Sequence, residues 1–203
     1  MTASVRSVAV PRRLALLLAA VAVTASGCTA MGAGSGDPTG QREGYVAGDG
    51  TVQTIPVDQR GAAVAVVGST VEDERVDTSA WRGQVVVLNL WYAACGPCRE
   101  EAPDLAEIAT ETTPDGVQFL GINTRDGSAE AAAFQRTFDI PYPSVLDSDG
   151  AAVLALRGQL VPNAVPTTLV LDVQGRVAAR VTGVADPSVL RELISQTGAE
   201  GLP

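Results

Sequence analysis

Val85-Val86-Val87-Leu88-Asn89-Leu90-Trp91-Tyr92-Ala93-Ala94-Cys95-Gly96-Pro97-Cys98-Arg99-Glu100-Glu101-Ala102-Pro103 is the stretch that decides the fold. Its first half is an unbroken run of aliphatic and aromatic residues, the pattern of a strand covered on both faces, as in a parallel sheet. A helix is predicted over 96–111, with Leu105, Ile108 and Ala109 on its apolar side. A second buried strand is predicted over 117–123, and strand–helix–strand in this order places the two strands parallel. The two cysteines fall where the first strand ends and the helix begins. Unpaired N–H groups and the dipole at a helix start favour a thiolate on Cys95. Cys98, one turn further on, can reach back and release a mixed disulfide. Gly96 lets a partner chain approach closely, and Pro97 stiffens the first turn.

Downstream, Ser128 can cap a helix that carries Phe134 and Phe138 one turn apart. A short strand over 143–146 and a short helix over 150–156 follow. Strands over 168–171 and 176–181 flank Asp172-Val173-Gln174-Gly175, a hairpin signature. Asp186-Pro187 opens a last helix with Val189, Leu190, Leu193 and Ile194 inward. Upstream, 62–67 reads as an apolar strand and Asp77-Thr78-Ser79-Ala80-Trp81 as a short helical turn. The expected architecture is α/β: a central mixed sheet flanked by helices, with an N-terminal extension and an insertion between the βαβ unit and the C-terminal hairpin.

The N-terminus reads differently. Arg12 and Arg13 precede an apolar run from Leu14 to Val23, and Ala25-Ser26-Gly27 leads into Cys28. Charge, short apolar run and small-residue site make 1–27 a signal peptide, too short to span a bilayer comfortably. Ala-Ser-Gly-Cys resembles the bacterial lipoprotein site at which the cysteine becomes the lipidated first residue, although Ala25 stands where Leu is usual. Cleavage and secretion without lipid is the alternative. Residues 28–61 are expected to be the lipidated Cys28 and a flexible Gly/Ser/Thr/Asp-rich linker, and 62–203 the folded domain.

The chain of 203 residues holds 14 arginines, no lysine and no histidine, against 23 acids. Beyond residue 27 the 11 remaining arginines leave a net charge of −12. Such a surface excludes nucleic acid as a partner and argues against electrostatic adhesion to anionic lipid. Without histidine there is no Cys/His or Ser/His catalysis. Zinc would need about four ligands, and only Cys95 and Cys98 remain once Cys28 is modified. A haem attachment motif would place His where Arg99 stands. A purely structural disulfide remains possible in an exported protein, though so short a loop removes little chain entropy, roughly 2 kcal/mol against about 3 for 15 residues.

Motifs in order make the resemblance specific. The 85–103 stretch, Gly121-Ile122-Asn123, Pro141-Tyr142-Pro143-Ser144-Val145-Leu146-Asp147 and Val165-Pro166-Thr167-Thr168-Leu169-Val170-Leu171-Asp172 together resemble the TlpA/ResA-like family of extracytoplasmic thiol–disulfide oxidoreductases, within the thioredoxin superfamily. The likeness covers about 62–194 and implies a thioredoxin-like fold, with 125–156 as the insertion. It implies that Pro166 is the cis-proline beside the active disulfide, and that the backbone of Val165 pairs with an extended substrate. Glu101 matches the family's acidic residue near the site, expected to modulate thiol ionisation and proton transfer; a solvated helix charge is the plainer reading. Asn89 stands where cytoplasmic thioredoxins bury an Asp, Trp91 is expected to pack beneath the site, and Pro103 to kink the helix. Ala94 departs from the pattern, which commonly has Trp before the first cysteine.

The resemblance also implies a working disulfide with no other cofactor, exported protein disulfides as substrates with apocytochrome c among them, and a CcdA-like membrane electron donor. With no obvious dimerisation segment a monomer is expected, and lipid on Cys28 would hold it on the outer face of the cytoplasmic membrane. A disulfide-forming oxidase of the same fold, a thiol peroxidase and a lipoprotein binding module are the other readings.

Overall fold

The structure, a computed structural model, describes residues 45–47 and 50–201. The signal peptide, Cys28 and most of the expected linker lie outside them. In chain order the elements are β1 (Tyr45–Ala47), β2 (Gly50–Thr54), β3 (Val67–Ser69), β4 (Arg75–Asp77), β5 (Val86–Trp91), α1 (Gly96–Thr112), β6 (Gln118–Asn123), α2 (Ser128–Thr137), β7 (Ser144–Leu146), α3 (Ala151–Ala155), β8 (Thr167–Leu171), β9 (Val177–Thr182) and α4 (Pro187–Ala199). Seven strands form one sheet in the order β1-β2-β9-β8-β5-β6-β7, and β3 and β4 make a separate hairpin. β5, β6 and β7 run parallel, while β8, β9, β2 and β1 each pair antiparallel with their neighbours. The mixed, thioredoxin-like sheet is as expected.

β5 is central and wholly buried, and its alternation divides the core in two. Val85 and Val87 face Leu105 and Ile108 of α1 and Leu190, Leu193 and Ile194 of α4. Val86, Leu88 and Leu90 face the other layer, with Val66, Ala152 and Leu156. Two covered faces require apolar residues at both parities, which is why the run lacks polar alternation. Asn89 and Trp91 share the parity of Val87, so they meet α1 near its start rather than its middle.

Three expectations need correction. The linker does not extend to 61: from Tyr45 the chain is already strand, and Thr51–Thr54 of β2 pair with Thr182–Ala179 of β9. The stretch 62–67 is not a strand. Val64 N–H donates to the Gly175 carbonyl and Val66 N–H to Thr78 Oγ1, so its backbone is satisfied by a turn and a side chain instead of a ladder; β3 begins only at Val67. Gly127, not Ser128, is the N-cap of α2, and it offers no side-chain acceptor. Elsewhere the signals coincide with the elements. Asp186 Oδ1 accepts from the N–H groups of Ser188 and Val189, with Pro187 in the first turn, and α1 runs through Pro103 to Thr112.

One close approach fixes how β6 sits between its neighbours. A Cβ at Gly121 would lie 2.1 Å from Ser144 Oγ and 2.7 Å from Trp91 Nε1. Only glycine lets β7 and the Trp91 ring meet there. Gly121→Ala should therefore destabilise the domain by about 1–3 kcal/mol through overpacking, read as a lower midpoint in urea.

Candidate active site

Cys95 ends the turn after β5 in extended conformation and is the N-cap of α1, with Pro97 in the first turn. Its Sγ accepts from the N–H of Cys98 at 3.1 Å. Cys95 and Cys98 are joined as a disulfide, with Cα atoms 5.2 Å apart. Both cysteines are buried, at 3% and 2% exposure, while Ala94, Gly96 and Pro97 above them are exposed. That small-residue rim offers a partner a low approach to the sulfurs. Apart from its chain neighbours and the backbone of its own helix, nothing among the described residues lies within 4 Å of the position a Gly96 Cβ would take. The fold does not demand glycine there, and the space stays open to a partner.

Opposite the sulfurs, the Val165–Pro166 bond is cis, and the Val165 carbonyl oxygen lies 4.0 Å from Cys95 Sγ. β8, antiparallel to β5, brings this loop to the end of the sheet where α1 starts. Beneath, Trp91 packs on Phe134 of α2 with ring centroids 4.2 Å apart, in one cluster with Cys95, Cys98 and Ala102. The structure thus brings Cys95, Cys98, Gly96, Pro97, Val165, Pro166 and Trp91 together.

Glu101 is placed differently from a solvated helix charge. It is 1% exposed, turned into the sheet. Its Oε1 accepts from Asn89 Nδ2 at 2.8 Å and its Oε2 from the Ala185 N–H at 3.0 Å. Asn89 Nδ2 also donates to Thr168 Oγ1 at 3.1 Å. Burial pushes the Glu101 carboxyl up to about 7, against the lowering effect of those two donors; the charges of Asp104 and Glu100 push the same way as burial. The group is thus poised to hold or release a proton near neutrality, one turn of α1 beyond Cys98.

The loop after β6 also belongs to the site, and the sequence reading missed it. Asp126 Oδ2 accepts from the Ala93 N–H at 2.5 Å and from Asn123 Nδ2 at 2.8 Å. The Thr124 N–H donates to the Trp91 carbonyl at 3.1 Å. The Arg125 guanidinium lies 4.2 Å from the Tyr92 ring centroid, and Arg99 lies 5.0 Å from that of Phe138. A signal was present: Asn123-Thr124-Arg125-Asp126 follows the carboxyl end of a parallel strand, where α/β sheets place their working loops.

A family model described as Redoxin matches residues 55–194. The thiol-disulfide oxidoreductase ResA of Bacillus subtilis is 26% identical over 122 residues, 60% of this chain and 66% of that protein. The thiol:disulfide interchange protein DsbE of Pseudomonas aeruginosa is 31% identical over 122 residues, again 60% of this chain and 63% of that protein. The chain thus spans just under two thirds of each relative's length. A secreted thiol-disulfide isomerase from Corynebacterium glutamicum superposes with a TM-score of 0.69 at 28% identity, covering 76% of this chain and 96% of that one.

The Glu101 environment has a consequence for stability. The unfolded chain releases this proton near the ordinary value of 4.5, whereas the folded protein holds it to about 7. Between those values the native state binds the extra proton, so stability contributed at low pH is lost as pH rises through the window, with a limiting slope of about 1.4 kcal/mol per pH unit. Glu101→Gln should flatten this fall; urea midpoints of the oxidised protein and the variant from pH 4 to pH 8 would read it.

Proposed function

This chain belongs to the Redoxin family, and from that premise we propose that it is an extracytoplasmic thiol–disulfide oxidoreductase working through the Cys95–Cys98 pair. One observation carries the reading: a cysteine sulfur at the N-cap of α1, accepting the Cys98 N–H, with the Val165 carbonyl facing it. In the reducing direction the Cys95 thiolate attacks one sulfur of a substrate disulfide. The Cys95–substrate bond forms, the substrate S–S bond breaks, and the departing thiolate takes a proton. Cys98 as thiolate then attacks Cys95 Sγ and expels the second substrate thiol. Two electrons have passed to the substrate, and the pair is left oxidised. A membrane dithiol carrier must restore it.

The surroundings have roles in that cycle. An extended substrate segment lies along Val165, adding a strand by its main chain, and crosses the gap above Gly96. Glu101, titrating near neutrality, is the nearby reservoir for the proton that Cys98 gives up, with Asn89 and the Ala185 N–H holding its carboxylate. Gly-Pro between the cysteines is the thioredoxin dipeptide, of potential about −270 mV, against about −120 mV for the oxidant DsbA; this favours reduction over oxidation in the cell. Lipid on Cys28 would tether the domain to the outer face of the cytoplasmic membrane. The family resemblance adds apocytochrome c as a substrate and a CcdA-like protein as the electron donor.

Cys98→Ser should leave Cys95 joined to its substrate, and mass spectrometry of the trapped species would identify the exported thiol proteins it serves. The same variant and Cys95→Ser should each lose at least about 100-fold in turnover of a protein disulfide with dithiothreitol. Turnover surviving both changes would remove the dithiol from the mechanism.

A further inference from the structure

The two peptide groups flanking the Ala93 Cα, two residues ahead of Cys95, are held by charged side chains from the loop after β6 and from α1. The Ala93 N–H donates to Asp126 Oδ2 at 2.5 Å, and the Ala93 carbonyl accepts from Arg99 Nη1 at 3.4 Å. Asp126 is itself fixed from behind. Its Oδ2 also accepts from Asn123 Nδ2, while Asn123 Oδ1 accepts from the N–H groups of Arg125 and Asp126 at 3.2 and 2.8 Å. Asn123 is 1% exposed at the end of β6, so the carboxylate is anchored to a buried strand end. Thr124 adds bonds to the Trp91 carbonyl from its N–H and its Oγ1, and Arg125 stacks on Tyr92. Three consecutive residues of this loop thus grip the last residue of β5 and the first two of the turn that delivers Cys95.

We propose that Asp126 is a positioning residue for thiol exchange: by holding the Ala93 N–H it fixes the turn over 92–95 and keeps Cys95 Sγ within reach of Cys98. The inference deepens the oxidoreductase reading and rests on it for its biological meaning. The physical reason is effective concentration. A dithiol closes to a disulfide more favourably when one sulfur is already held where the other needs it. A turn free to swing lowers that local concentration and shifts the pair toward the open dithiol. The bond is charge-assisted, which makes it stronger than a neutral one and dependent on where the carboxylate sits. α1 fixes Cys98 within its first turn and also holds the Cys95 carbonyl through the Arg99 N–H, so the strap bears on the chain that leads into Cys95.

The test is the equilibrium of the Cys95–Cys98 pair with reduced and oxidised glutathione: protein disulfide and two glutathione thiols exchanging with protein dithiol and glutathione disulfide. Asp126→Ala should move it toward the dithiol by about tenfold, the size expected for one charge-assisted bond. Asp126→Asn, which keeps an acceptor oxygen for the Ala93 N–H, should stay within about threefold of the parent. Asp126→Glu keeps the charge but moves the carboxylate one methylene further, and should shift in the direction of Ala; it carries the test if the Ala variant does not fold. Folded Ala or Glu variants within twofold of the parent would overturn the proposal, as would an Asn variant shifted as far as Ala. The equilibrium is read whether or not the protein turns over a protein substrate. A parent that reduces no protein disulfide would count against the proposed function and leave the role of Asp126 to be judged on these values.

Discussion

The N–H of Cys98 points at Cys95 Sγ, and the rest of the structure is arranged so that it does. That bond exists because a fully buried strand stops at Trp91 and a helix starts at Gly96, leaving a four-residue turn in which the first sulfur occupies the cap. The cap position exposes the sulfur to unpaired N–H groups and the positive end of the helix dipole. Either effect in bulk water is small. Both gain strength where the cysteine is nearly closed off from solvent.

Each layer around the site protects that geometry. The two-faced burial of β5 fixes where the turn begins. Gly121 lets β7 and Trp91 close under it, and the Trp91–Phe134 stack gives it a floor. β8 delivers the Val165–Pro166 loop from the other side. Burial of Glu101 costs stability at neutral pH, and the sheet accepts that cost in return for a proton-exchanging group behind the second cysteine.

Much of this was legible in the sequence, for definite reasons. A continuous apolar run meeting Cys-Gly-Pro-Cys can only be a strand feeding a helix, and Asp172–Gly175 between two short apolar runs can only be a hairpin turn. The family resemblance implied that Val165 and Pro166 lie opposite the cysteines, although Val165 is 70 positions beyond Cys95. What escaped lacked a local pattern. β2 reads Gly-Thr-Val-Gln-Thr, with Val52 buried and Thr51, Gln53 and Thr54 exposed, so its strand character comes from pairing with β9, and that of β1 from pairing with β2, rather than from an apolar run. Within 62–67, Val64 and Val66 pack on the core, yet their backbone partners are a distant turn and a side chain. The bond from Ala93 to Asp126 spans 33 residues and leaves no trace in composition or spacing.

Thiol exchange at this site depends on the ionisation of the first sulfur. The rate of iodoacetamide reaction at Cys95 in the reduced protein, followed by peptide mass spectrometry from pH 4 to pH 10, measures its ionisation directly. A midpoint at least one unit below the ordinary thiol value of about 8.5 is expected for a cysteine capping a helix. A midpoint at or above that value would contradict the placement of the nucleophile, and with it the exchange chemistry built on it.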